Sequence, residues 1–285
     1  MQKHAMKLID LHAHSTASDG TASPRALAEL ALRHGLSALA LTDHDTVLGY
    51  PELKKAGEEL GIETVPGIEI STKFRRAVHI LGYYIDPHSP HLEQVLNWVV
   101  EDRDKRNKEM CRLMAADGLP VNYEDMKKRF GPVIGRPHFA DLLVELGLAK
   151  NVRDAFDRYV EKGQRYYVGR TILPIEKAIE IIRLAGGVPV LAHPFQYQLD
   201  DPGLRELIEY CMTQGLRGME CRYSGYAPEQ SAYLEALAEE YGLIKTGGSD
   251  YHGSNKPRIC LGSGIENRLH VPYEWLERLK EAAGK

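Results

Sequence analysis

Thiolate chemistry has little to work with in this chain. Its four cysteines, Cys111, Cys211, Cys221 and Cys260, are scattered and form no Cys-x-x-Cys pair. That argues against a thiolate zinc site or a disulfide frame, and for reduced thiols in a cytoplasm. No apolar run is long enough to span a bilayer, so no membrane partner is expected. The first residues, Met1 to Lys7, lead into a strand and lack an apolar signal core. Positive charge is short as well: the net charge is −4. A general polyanion-binding surface is thereby excluded, and duplex nucleic acid with it; a nucleic-acid substrate must be held locally, in a pocket. Internal repeats and low-complexity tracts are absent. What remains, 43% hydrophobic and 27% charged residues in 285, suffices for one large domain or a domain with an insertion.

Short apolar or β-branched runs alternate with amphipathic stretches. The pattern predicts strands at Lys7–Leu11, Ala38–Thr42, Glu63–Ile70, Val78–Ile85, Val188–Ala192, Gly218–Cys221 and Leu243–Thr246. Helices are expected at Pro24–His34, Tyr50–Leu60, Ile175–Ala185, Gly203–Gln214 and Pro228–Tyr241. Pro24 and Pro228 suit a first helical turn, Ser23 suits a cap, and Gly35, Gly61, Gly186 and Gly242 mark helix ends. Strands alternating with helices argue for a parallel, barrel-like sheet.

One region breaks the alternation. From 97 to 166 there is no convincing strand, and helices are expected at Tyr123–Phe130, Pro137–Leu146 and Val152–Val160. The charged run Glu101-Asp102-Arg103-Asp104-Lys105-Arg106 reads as a solvated helix face. The expected organisation is a barrel formed by 1–96 and 167–285, with 97–166 inserted as an all-helical cap.

The chemistry gathers at strand ends. Asp10-Leu11-His12-Ala13-His14 closes the first strand, and alternation puts the two imidazoles on one side, with Asp19 in the following loop. Thr42-Asp43-His44-Asp45, Glu69, His79, Ala192-His193-Pro194 and Ser249-Asp250-x-His252 recur at comparable places. In (β/α) barrels that rim carries the active site. Six of the 12 histidines take part. The dull alternatives, a turn, a surface acid or a core histidine, are reasonable one at a time but fail together. Nine N and O ligands exceed one ion's needs and suit a multinuclear site of Mn, Zn or Fe. Such a site favours hydrolysis, since bound water is acidified towards a pKa of about 7, and phosphate esters are the natural substrate. Asp43 is a candidate for orienting a ligand. Arg170 and Arg222 read as surface residues, as do His4, His34, His88, His91 and His270.

These motifs together resemble the PHP (polymerase and histidinol phosphatase) metal-dependent phosphoesterases. The resemblance covers the segments on both sides of the insertion. It implies an α/β fold, a distorted (β/α)7 TIM-like barrel with a trinuclear centre of divalent ions. By motif position, His12, His14, Glu69 and Asp250 would hold one ion. Glu69 as bridge, with His79 and His193, would hold the second, and Asp19, His44 and His252 the third. Glu69, His193 and Asp250 would hold the nucleophilic hydroxide. The acid at Asp19, where polymerase-associated members often carry histidine, points to the stand-alone phosphatases. Phe195 and Tyr226 depart from the family pattern.

Gly135-Arg136-Pro137-His138 and Tyr159-Val160-Glu161-Lys162-Gly163 resemble the cap of members acting on small nucleotides. That branch removes the 3′-phosphate of nucleoside 3′,5′-bisphosphates and includes 5′-to-3′ exoribonucleases on short RNA. Arg136 and His138 would contact substrate there, Arg136 as a planar fork on the phosphate that does not react. The alternatives are histidinol-phosphate phosphatase, an amidohydrolase with a lysine bridge, for which Glu69 is the wrong bridging residue, and a degenerate binding module, which should have lost ligands.

Overall fold

The computed structural model describes residues 7–131 and 133–285. The leading segment Met1–Met6, with His4, lies outside the described residues. The first half runs β1 (Leu8–Asp10), α1 (Pro24–Arg33), β2 (Leu36–Leu41), α2 (Tyr50–Leu60), β3 (Glu63–Lys73) and β4 (Ala77–Tyr83). The helical region follows: α3 (Pro90–Ala116), α4 (Tyr123–Phe130), α5 (Arg136–Glu145) and α6 (Val152–Ala155), the last continued by a π-helical turn over Phe156–Val160. Then come β5 (Leu173–Pro174), α7 (Ile175–Leu184), β6 (Val188–Leu191), α8 (Asp201–Gln214), β7 (Gly218–Tyr223), α9 (Pro228–Glu240), β8 (Ile244–Gly248), β9 (Val271–Pro272) and α10 (Tyr273–Ala283).

The sheet order is β8-β7-β6-β4-β3-β2-β1-β9, with β5 beside β3. It curls until its ends meet: the Leu11 N–H donates to the Gly247 carbonyl (3.1 Å) and the Asp250 N–H to the His12 carbonyl (2.7 Å). Gly248 allows this approach, because a Cβ there would lie 2.3 Å from the His12 nitrogen. The result is a nearly closed α/β barrel, as the alternation of elements predicts, and a distorted one, as the family resemblance implies. Buried aliphatic side chains of the strands, Ile9, Val65, Ile68, Ile80, Leu81, Val190 and Met219, form one continuous core with the inner faces of α7, α8, α9 and α10. Each fully buried Leu, Ile or Val contributes roughly 1.5–3 kcal/mol, offset by the entropy of ordering the chain.

Three features depart from the expected pattern. The sheet is not wholly parallel, because β3 turns back on itself and β4 runs antiparallel to both β3 and β6. The C-terminal β9 and α10, which pack on β1 and complete the wall, lie outside the expected elements, although α10 buries Trp275, Leu276 and Leu279 along one face. The boundary expected at 97 falls inside α3. That helix starts at Pro90, with Leu92 and Leu96 in the barrel core, and its far half (Met110, Cys111, Met114) joins a second core with Tyr123, Phe139, Leu143, Val160 and Tyr166.

Candidate metal centre

At the barrel mouth Glu69 is the hub. Its Oε1 lies 2.7 Å from His79 Nδ1 and 2.8 Å from His193 Nε2. Its Oε2 lies 3.0 Å from His44 Nδ1, 3.2 Å from His14 Nε2 and 3.3 Å from His12 Nε2. Five imidazoles surround one buried carboxylate. Asp250 Oδ1 lies 3.2 Å from His14 Nε2 and 3.6 Å from His12 Nε2, and Asp19 Oδ1 lies 3.2 Å from His252 Nε2. The structure thus brings all nine residues singled out from the sequence to one place.

The chain reaches this arrangement by two routes. His12, His14, His44, His193, Asp250 and His252 follow the C-terminal ends of parallel strands, as expected. Glu69 sits in the middle of the long β3, and His79 near the start of β4. The hairpin turn at 74–76 reverses the chain, so β4 enters the rim by its N-terminal end. Asp45, His193 and Asp250 adopt left-handed backbone (φ 53°, 24° and 55°), a strain that persists only where surrounding contacts impose it.

A layer of buried carboxylates holds the ligands from below. Asp10 accepts the N–H groups of His12 (3.1 Å), Ser249 (2.9 Å) and Gly262 (2.7 Å). Asp43 accepts the Ser15 N–H (2.7 Å) and the hydroxyls of Ser15 (2.7 Å) and Ser18 (2.6 Å), which pins the loop carrying Asp19. Tyr223 Oη (2.7 Å) and Lys256 Nζ (2.5 Å) both donate to Asp250 Oδ2, leaving Oδ1 to face the imidazoles. Glu220, Tyr223 and Lys256 belong to no motif that marks them in the sequence.

The donor set fits divalent cations. His12 Nε2, both nitrogens of His14, His44 Nδ1 and Glu69 Oε2 are buried without a hydrogen-bond partner among the described residues. Buried polar atoms are rarely left so. Four groups converge within 4.8 Å: His12, His14 and Asp250; His12, Glu69 and His193; His44, Glu69 and His79; and His14, Asp19, His44 and His252. Burial would raise Glu69, Asp19 and Asp250, but their basic neighbours hold them well below the usual carboxylate range: the surrounding imidazoles at Glu69 and Asp19, and at Asp250 the Lys256 ammonium first, then His252 and His12. Burial pushes His44 down to about 3, which keeps its lone pairs free. At His14 burial acts downward too, but the Asp250 and Glu69 carboxylates overcome it and raise the group to about 9.

Beside the centre opens a cavity of ≈ 240 Å³, lined by Asp19, His44 and His79 and also by Arg103, Arg106, Arg136 and Arg170. Arg103 and Arg106 belong to the charged run that reads as a solvated face, yet both are buried. Their spacing of three puts them on one face of α3 with buried Val99, Asn107 and Met110, and that stripe was the available signal. Arg170, expected at the surface, is partly buried; its Nη2 lies 3.4 Å from Asp45 Oδ2, which also accepts from Arg103 Nε (3.2 Å). Arg136 takes its place in the lining, 3.0 Å from Glu161 and above the rings of Phe156 and Tyr167. Arg222 faces elsewhere, bonded to Glu235 and stacked on Trp275.

His138 corrects an expectation. It does not line the cavity; its Nδ1 accepts the Gly135 N–H (3.0 Å) to cap α5, and its ring stacks on Phe130. A helix start with the histidine at its third position supplies the cap, and burial pushes the imidazole down to about 4. A histidine depressed in the folded state costs stability as pH falls, beginning below the unfolded value near 6.5 and complete below about 4. His138 should therefore remove about 3 kcal/mol across that window. Urea unfolding of His138→Gln should show a shallower loss between pH 6.5 and 4 than the parent; equal slopes would contradict it.

Residues 10–246 match the PHP domain family. A 5′-3′ exoribonuclease of Haemophilus influenzae is 37% identical over 247 residues, 86% of this chain and 90% of its own length. A 3′,5′-nucleoside bisphosphate phosphatase of Chromobacterium violaceum is 34% identical over 250 residues, 87% of this chain and 88% of its own. Among solved structures, a proposed metal-dependent phosphoesterase from Bifidobacterium adolescentis superposes with a TM-score of 0.85 at 32% identity, covering 96% of each chain.

Proposed function

The chain belongs to the PHP family of metal-dependent phosphoesterases, and on that premise we propose that it removes a phosphate from nucleoside 3′,5′-bisphosphates and trims short RNA from its 5′ end. The observation that carries this reading is the shared cavity, lined both by metal-ligating side chains and by four arginines. One phosphate of a doubly phosphorylated nucleotide meets the ligand cluster, and the other meets guanidiniums whose planar forks suit it.

Two or three divalent ions fit the donors. His12, His14, Asp250 and Glu69 would hold one, Glu69 with His79 and His193 a second, and Asp19, His44 and His252 a third, with His14 also in reach of that group. Ions bound there supply an acidified water as nucleophile and neutralise charge on the reacting phosphoryl group. The protein's own share is placement: Glu69 ties five imidazoles together, Asp43 fixes the Asp19 loop, and the arginines orient the nucleotide. Histidinol phosphate, with one phosphate and an ammonium group, would bring a positive charge towards those arginines. No helix among the described residues is long and apolar enough to cross a membrane.

The test is phosphate release by manganese-loaded protein from adenosine 3′,5′-bisphosphate, a short 5′-phosphorylated RNA and histidinol phosphate. The first two are expected to be substrates and the third a poor one by kcat/KM. No release from either nucleotide substrate with metal present would overturn the reading.

A further inference from the structure

Glu220 lies in the middle of β7, fully buried, behind the imidazoles rather than among them. Its two oxygens are committed to two different strands. Oε1 accepts from His12 Nδ1 (3.0 Å), beyond the end of β1. Oε2 accepts the backbone N–H of His193 (2.8 Å), beyond the end of β6, where the chain takes its left-handed φ of 24°. The second nitrogen of His12, Nε2, then points at Glu69 Oε2 and Asp250 Oδ1 and has no hydrogen-bond partner among the described residues.

We propose that Glu220 is a positioning residue for the metal centre, fixing the proton of His12 on Nδ1 and anchoring His193, so that one carboxylate sets two imidazoles from opposite sides of the barrel. The inference rests on reading His12 and His193 as ligands. Imidazole ligates through an unprotonated nitrogen, and the partner of the other nitrogen decides which one that is. Both bonds at Glu220 need an acceptor. A carboxylate offers two acceptors in one plane; an amide of the same shape offers one acceptor and one donor. In Glu220→Gln the NH2 group must therefore oppose either the His12 Nδ1–H, forcing the wrong tautomer, or the His193 N–H, releasing the strained turn. No orientation satisfies both.

Calorimetric titration of manganese into metal-free wild type, Glu220→Gln and His12→Ala tests this. Wild type gives the reference stoichiometry and affinities. Glu220→Gln, remaining folded by circular dichroism, is expected to weaken one ion by about 10–100-fold, and His12→Ala to weaken the same ion at least as much. If His12→Ala weakens binding but Glu220→Gln binds as wild type, Glu220 has no such role while the ligand reading stands. If His12→Ala also binds as wild type, the ligand reading itself fails. Should Glu220→Gln not fold, nitrogen-15 spectra of zinc-loaded wild type decide: His12 should carry its proton on Nδ1 and coordinate through Nε2. Coordination through Nδ1 would overturn the proposal, and no coordination by His12 would overturn the reading beneath it.

Discussion

Glu69→Gln should abolish turnover while leaving the barrel folded. The side chain keeps its shape, but the amide has half the acceptor capacity and no charge. Its oxygens approach five imidazoles, and two of the four convergent groups, His12 with His193 and His44 with His79, lose or misplace their common partner. Charge stabilisation by such ions amounts to several kcal/mol of the barrier. A loss of about 4 kcal/mol corresponds to a drop of about 10³-fold in kcat/KM. Metal content by atomic emission should fall in parallel, and thermal unfolding of the metal-free forms should stay cooperative. Activity above a tenth of wild type would contradict the central role given to this carboxylate.

The parts of this centre differ in how openly the sequence displays them, and the reasons are physical. His12 and His14 are visible because strand alternation fixes which way neighbours point. His193 and Asp250 are visible because a strand ending in a polar residue is unusual unless that residue has work at the rim. Glu220 is hidden by the same alternation: Met219 and Cys221 face the outer helices, so Glu220 and Arg222 read as an ordinary polar face. Only barrel closure turns part of that face inward. His79 joins the cluster by a route that strand ends alone do not suggest, since β4 reverses and presents its first residues to the mouth. Arg103 and Arg106 are the opposite failure. A run of mixed charges reads as solvated, and only the apolar neighbours at helical spacing, Val99 and Met110, betray that the face is covered. His138 carries a structural role that the motif position did not announce: its Nδ1 caps α5.

The arginine cluster carries the second large expectation, in which stability and function move in opposite directions. Burial, with the charges of Arg103, Arg170 and Arg136 close by, pulls Arg106 well below the usual arginine range; burial and Arg103 push Arg170 down to about 10. Asp45 is shared by Arg103 and Arg170, and Asp102, the acid that acts on Arg106, offsets only part of the effect of burial and the neighbouring arginines. Arg106 has only the Ile134 carbonyl (3.4 Å), and its Nε, like Arg170 Nη1, finds no partner among the described residues. Buried positive charge on this scale opposes folding unless an anion answers it. Arg106→Met keeps the bulk and removes the charge, so the ligand-free protein should gain about 1–3 kcal/mol, read as a higher melting temperature without substrate. A hydrogen bond to a charged partner contributes about 1.5–3 kcal/mol, so kcat/KM for adenosine 3′,5′-bisphosphate should fall about 10–100-fold more than that for p-nitrophenyl phosphate, which has no second phosphate. Substrate-induced stabilisation should shrink in step, because binding to the folded form is what raises the melting point. A protein both less stable and uniformly slower on the two substrates would mean that Arg106 supports the cap and does not read a phosphate.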